Sequence, residues 1–239
     1  MARKQEDDIL YWFTAHGHHI PVKEGQSKAD ALRSVFSKDS DQKERQIKEN
    51  KKNADEKQYE LRKGKEVDSK QFNKDITDAR NSRPVEDRWR VDVHSSEEYD
   101  EKGCKMWTSN NGSTVAVTNQ GDIISVCKHA NDRAVHGKEL LSQAVSMGGT
   151  KLDSFSGNHK FYTSCGFEPV SWTPFNKEYA PDGWKESGAD EEPVIFYKYV
   201  GIGNVKNLNA KEWMAKTKPF EGDDGYDNAY AYRDKQIKK

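Results

Sequence analysis

The stretch Asn158-His159-Lys160-Phe161-Tyr162-Thr163-Ser164-Cys165-Gly166-Phe167-Glu168-Pro169-Val170 reads as a short helix that stops at a glycine and re-emerges as a strand. Phe161 and Cys165 stand one helical turn apart on one face, with Tyr162 beside them. Gly166 can take the left-handed conformation that ends a helix, and Phe167 then anchors the strand. Upstream, Thr150 to Phe155 reads as another strand. It is preceded by Gly137 to Gly149, a helix pattern with Leu140-Leu141 on its apolar face and two glycines at its end.

Working outward, three short strands are expected at Lys105–Thr108, Ser113–Thr118 and Asp122–Lys128. Asn111-Gly112 and Gln120-Gly121 supply the hairpin turns between them. Arg88 to His94 alternates as a half-buried strand does, and Ser95 can cap a short helix reaching Tyr99. Phe167–Thr173 and Val194–Val200 make the last two strands. A meander followed by helix, strand, helix and strand predicts an α/β fold with a mixed, mostly antiparallel sheet flanked by helices.

This ordered series, with Leu-Leu, Gly-Gly and then Asn followed by Tyr-x-x-x-Gly-Phe, resembles the acyl-CoA-binding half of the GNAT acetyltransferase superfamily over roughly residues 115–200. The resemblance implies transfer of an acetyl or acyl group from acyl-CoA to an amine. It places the catalytic tyrosine at Tyr162, which would assist departure of the thiolate. It also implies a cofactor contact at Asn158, and backbone pairing to the pantetheine arm along the strand that carries Ile124 and Val126. The family's diphosphate loop, Arg/Gln-x-x-Gly-x-Gly/Ala, falls on Asp132-Arg133-Ala134-Val135-His136-Gly137. Here Gly137 matches, Val135 stands where the first glycine would be, and Asp132 replaces the basic residue. Arg133, His136 and Lys138 can add positive charge at a helix N-terminus suited to anions. The departure leaves a second expectation open, a protein of the same fold that binds a partner and carries out no transfer.

No general base stands out: His94, Glu97, Glu98 and His129 are all candidates on chemistry alone. His16-Gly17-His18-His19 lacks helical ligand spacing and a nearby carboxylate set, so no metal site is expected. The three cysteines, Cys104, Cys127 and Cys165, are odd in number and without Cys-x-x-Cys spacing, and read as thiols of a reducing compartment. The cytoplasm is the expected address, since no signal-like N-terminus or membrane-length apolar run is present.

The 239 residues are 33% hydrophobic and 33% charged, with a mean hydropathy of -1.08, so compact regions must alternate with solvated ones. The formal net charge of -1 disfavours a dedicated nucleic-acid binder. Four segments are expected. Residues 1–36 read as a hairpin, with its turn at His16-Gly17, and a helix capped by Ser27 whose apolar face is Ala31, Leu32 and Val35. Trp12 to Lys28 within it resembles a short module of bacteriophage and mobile-element proteins, which would put the chain in a bacterial host. Residues 37–84 read as a charged helical or disordered connector, residues 85–200 as the GNAT-like domain, and residues 201–239 as an aromatic tail that docks on this molecule or on a host or viral partner. The Pro174–Trp184 connection is expected to wall the cleft with Phe175, Tyr179 and Trp184 buried.

Overall fold

The computed structural model describes residues 9–15, 18–34, 64–206 and 209–237. The chain divides into two units, Met1–Glu60 and Leu61–Lys239.

In the first unit, β1 (Ile9–Ala15) and β2 (His18–Lys23) pair antiparallel. A helix, α1 (residues 28–34), follows, and the Ser27 hydroxyl accepts from the Asp30 amide at 3.2 Å, as expected of an N-cap. Ile20 and Val22 alternate onto one face of β2 and pack with Ala31 in a small buried cluster joined by Leu32. The expected turn at His16-Gly17, the contribution of Val35 and the connector up to residue 63 lie outside the described residues.

The second unit opens with β3 (Gly64–Glu66) and α2 (Ser69–Asn81). A 3-10 turn at Val85–Arg90, α3 (Ser96–Glu101) and the strands β4 (Lys105–Ser109), β5 (Thr114–Val117) and β6 (Ile123–Cys127) follow. Then come α4 (Gly137–Ser146), β7 (Lys151–Phe155), α5 (His159–Ser164), β8 (Phe167–Thr173), α6 (Trp184–Ser187) and β9 (Val194–Tyr199). Two helices close the chain, α7 (Ala210–Met214) and α8 (Gly225–Ile237). The strands form an antiparallel sheet β3-β4-β5-β6 and a second, β7-β9-β8. A parallel bridge, Asp122 to Lys151, ties them together. This is α/β with antiparallel sheets flanked by helices.

Side-chain alternation sorts the strands onto two layers. Val115 and Val117 of β5 join α4 (Leu140, Leu141, Ala144) in a core that continues into Leu152, Phe167, Ile195 and Tyr197 of the second sheet. Ala116 points the other way, into a cluster with Phe72, Ile76 and Ala79 of α2 and Tyr99 of α3. Each buried aromatic here removes enough apolar surface from water to contribute on the order of 2 kcal/mol. At the α5–β8 junction Gly166 has φ 91°, and a Cβ there would come within 2.6 Å of the Gly201 backbone, so the turn needs glycine twice over.

Three expectations are corrected or refined. Arg88–His94 is not a strand: Val85–Arg90 coils as a 3-10 turn because the Arg88 guanidinium caps the carbonyls of Arg83 and Asn81. The alternation there reflects a single anchor, Trp89, buried against Phe155 at 4.8 Å. The edge of β4 is taken instead by β3. Of the charged stretch that reads as connector, residues 69–81 are a core helix. The C-terminal segment docks on its own molecule: Gly225, Ala229 and Arg233, one helical turn apart, are the buried face of α8, and Ser171 of β8 donates to the Ala229 carbonyl at 2.7 Å.

Candidate functional site

Past the Asp122–Lys151 bridge no ladder joins β6 to β7 among the described residues, and the two strands part. The gap is part of a groove of about 1670 Å³ that also runs past Arg83, Glu101 and Lys177, larger than the roughly 300–1,000 Å³ of an ordinary small-molecule site. Ile124 and Val126 line one wall, and Asn158, Phe161 and Tyr162 the other. β6 is itself irregular. Ser125 holds φ 52°, a left-handed conformation rare for a side-chain-bearing residue, and the β5–β6 register shifts between Thr114 and Ala116. The bulge sends Ile124 into the α2 cluster and Val126 into the α4 core, although regular alternation would put both on one face. Tyr99 holds it, its hydroxyl 2.7 Å from the Ser125 hydroxyl.

Tyr162 is carried by α5, with its ring packed against Phe161, Phe167 and Tyr197. Burial pushes its phenol up to about 12, against a hydrogen bond shared with Ser154. Asn158 donates to the same Ser154 hydroxyl at 3.1 Å, so Asn158, Ser154 and Tyr162 form one chain of contacts along the wall. A phenol so placed stays protonated through neutral pH and can give a proton or a hydrogen bond into the cleft.

The loop before α4 is less open than its position suggests. Asp132 is fully buried and collects Ser113 Oγ at 2.6 Å, Ser109 Oγ at 2.7 Å and the amides of Ala134 and Val135, each at 3.0 Å. Burial raises its carboxyl pKa, but these four donors outweigh burial and hold it below the ordinary value. The His136 amide turns to Glu139 at 2.7 Å, half of a capping box. Three successive N–H groups of the loop therefore face carboxylates of the chain itself. Gly137 lines the cleft, and a Cβ on it would lie 2.9 Å from the Phe161 ring, so the close approach of α5 is reason enough for a glycine there. Arg133, His136 and Lys138 are exposed.

Of the base candidates, His94 lines the cleft. His129 faces Asp78 of α2 at 3.4 Å, Glu98 is spent on the capping box with Ser95, and Glu97 is exposed on α3. Sequence reasoning passed over Asp153, a half-buried β7 carboxyl in the cleft that accepts from Tyr226 of α8 at 3.0 Å. The legible signal was Lys151 and Asp153 at alternate positions of a strand, since polar side chains on one face need partners. Those partners come from the C-terminal segment. Lys151 meets Asp234 at 2.7 Å, and the buried Arg233 joins Asp122 at 2.7 Å and Asp234 at 2.9 Å.

The 174–184 connection lines the cleft, but its aromatics are not all buried. Phe175 and Trp184 pack with ring centroids 4.6 Å apart and are half-buried, whereas Tyr179 is 73% exposed because its 3-10 turn (Lys177–Tyr179) carries it outward. Cys165 sits in the core with burial raising its thiol pKa, so it packs as a small apolar group. No group of three potential metal ligands exists among the described residues, and no described helix is long and apolar enough to cross a membrane.

No protein-family model matches the chain, and no curated protein matches it. Among solved structures, the solution structure of apo-form YjaB from Escherichia coli is similar at a TM-score of 0.39 and 13% identity, covering 58% of this chain and 97% of YjaB. A likeness that slight decides nothing about activity.

Proposed function

We propose that the Leu61–Lys239 unit is a GNAT-like N-acyltransferase that moves an acetyl or other acyl group from acyl-CoA to an amine. The observation that carries this reading is the parting of β6 from β7, with the Tyr162 hydroxyl set into the wall of the gap. Acyl-CoA would supply an acyl group activated as a thioester. The thioester end fits what is present: a bulged strand edge at Ile124 to Val126, Asn158 close by, and a protonated phenol to meet the leaving sulfur. The diphosphate end fits in part. The start of α4 at Gly137 and Lys138, with the exposed charges of Arg133 and His136, can receive an anion, while Asp132 keeps the two amides before them. The cytoplasm, with its acyl-CoA supply and reduced thiols, is the compartment this reading implies. A bacterial host would follow from the phage-type module at Trp12 to Lys28.

The Asp132 contacts favour a second reading, a non-catalytic protein on the same fold that binds a host or viral partner. Calorimetry with acetyl-CoA and with CoA separates the two. Binding of both is expected, and no binding at millimolar concentration by folded protein would leave the second reading in place.

A further inference from the structure

An acceptor amine arrives protonated at neutral pH and must lose that proton before its lone pair can attack. Tyr162, kept as a neutral phenol, cannot receive it. We propose that Asp153 is the proton acceptor, held in place by Tyr226 of α8, and that the substrate is a cationic primary amine entering from the α8 side of the cleft. This inference rests on the acyltransfer reading.

The two faces of β7 divide the work. Ser154 turns toward α5 and Tyr162, whereas Lys151, Asp153 and Phe155 turn toward α8 and Trp89. Asp153 Oδ2 accepts from Tyr226 at 3.0 Å, and Oδ1 accepts from no described residue although the side chain lines the cleft. Tyr226 is 44% exposed, with its hydroxyl end turned inward. The charges around Asp153 come from every packed element. Arg233 stands on α8, Asp122 ahead of β6, Asp92 in the loop before α3 and Lys151 on β7. Arg233 pairs with Asp122 and Asp234 through Nη2, its buried Nη1 bonding no described residue, and Lys151 pairs with the same two carboxylates. Asp153 is thus left with one neutral donor. Burial pushes its carboxyl up to about 6, with Asp122 and Asp92 adding to the rise and Arg233 and Tyr226 opposing it. A base of that strength is ionised at neutral pH yet basic enough to take a proton. Asp92 and Asp227 line the same cleft and favour a cation on this approach.

In the transfer, Asp153 takes one proton from the ammonium and passes it to water. The freed lone pair forms the C–N bond as the thioester C–S bond breaks, its electron pair going to sulfur. Tyr162 gives its proton to that sulfur and recovers one from the new amide nitrogen.

The test uses the full chain with acetyl-CoA and spermidine, following thiol release between pH 6 and 10. Asp153→Asn is expected to lower kcat at pH 7 by about 10²–10⁴-fold, the usual contribution of a positioned base, with acetyl-CoA affinity unchanged by calorimetry. The deficit should shrink toward pH 10, where a substantial fraction of the acceptor's amines has already lost its proton to solvent. Tyr226→Phe should lower the plateau rate, because Asp153 loses the contact that holds it, and should also move the acid limb of the profile upward, because the lost hydrogen bond favours the ionised carboxyl. A wild-type rate and profile in Asp153→Asn would overturn the assignment while the acyltransfer reading stands. If that variant does not fold, an unmoved acid limb in Tyr226→Phe overturns it. Acetyl-CoA binding without spermidine turnover would overturn the cationic acceptor, and no acetyl-CoA binding would overturn the reading beneath.

Discussion

Asp132, in the loop ahead of α4, collects hydrogen bonds from two serine hydroxyls and two backbone amides, whereas Asp153, on β7, collects one from Tyr226. Burial opposes ionisation of both, but four donors hold Asp132 below its ordinary pKa, whereas Asp153, with one donor and the charges of Asp122 and Asp92 nearby, is raised to about 6. The end of the cleft nearest α4 has committed its polar groups to the fold. The end between β7 and α8 holds a carboxyl in place without saturating it. Committed donors give stability and uncommitted acceptors give reactivity, so the two ends should answer differently to the same kind of substitution.

The largest effect on stability is expected at the committed end. Asp132→Ala strands the Ser109 and Ser113 hydroxyls and the Ala134 and Val135 amides in a buried site. Losing charge-assisted hydrogen bonds of this kind costs roughly 3–4 kcal/mol in all, since the individual losses do not add in full. Urea denaturation at pH 7 measures it, and a loss below about 1 kcal/mol would mean the loop is not held by its carboxylate. If the loop survives the change, its freed amides should bind acetyl-CoA more tightly than wild type.

Next in size is Tyr162→Phe, which keeps the ring packing against Phe167 and Tyr197 and removes only the hydroxyl. A fall in kcat of about 100-fold, near 2.7 kcal/mol, is expected with little change in melting temperature. Single-turnover acetyl transfer is the measurement. An unchanged rate would put Tyr162 among the packing residues and shift weight to the partner-binding reading.

A smaller effect on stability, of the opposite sign, belongs to Asp153→Asn. A carboxyl whose folded pKa is raised binds more protons folded than unfolded, so wild-type stability falls as pH rises from about 4 to 6. The amide has no such charge to bury. The variant should therefore match wild type below pH 4 and be more stable at pH 7, by roughly 1 kcal/mol once the openness of the cleft is allowed for. Asp132 runs the other way: its lowered pKa gives stability present above the ordinary carboxyl range and lost as pH falls through the folded value. Melting curves of the two variants across pH 3 to 8 should diverge from wild type in opposite directions.

How far the sequence carried this comparison depends on the range of the contacts. The order of strands and helices from β4 to β8 was legible because glycines, hairpin dipeptides and Leu140-Leu141 act within a few residues of themselves. The placing of Tyr162 on a short helix before Gly166, and of Gly137 at the start of α4, was legible in the same way, as both positions are set by local turns. The α2 face was written in Phe72, Ile76 and Ala79 at helical spacing, but the charges between them read as solvated surface. Arg233 was unreadable as core, since an arginine becomes buried only when Asp122, more than a hundred residues away in the chain, is folded against it. Asp153 was missed for the same reason, as its one donor, Tyr226, comes from the last helix. Local patterns gave the elements, and the long-range pairings that tune the carboxyls had no local trace.

The smallest expected effect sharpens the view of the α4 end. With the Ala134 and Val135 amides held by Asp132, an incoming diphosphate would depend on exposed cations at Arg133 and Lys138 and on the N-terminus of α4. Exposed charges are screened, so Lys138→Ala and Arg133→Ala should each weaken acetyl-CoA binding by about 0.3–1 kcal/mol, and the losses should fade at high salt. A loop that bound phosphate through its amides would behave otherwise: backbone donors survive both substitutions, and affinity would change little at any salt. Titrations of the two variants at 50 and 500 mM salt therefore distinguish a side-chain site from a backbone cradle. A salt-independent affinity equal to wild type would mean that Asp132 gives up its amides when ligand binds, making the contrast between the two carboxyls a property of the free protein alone.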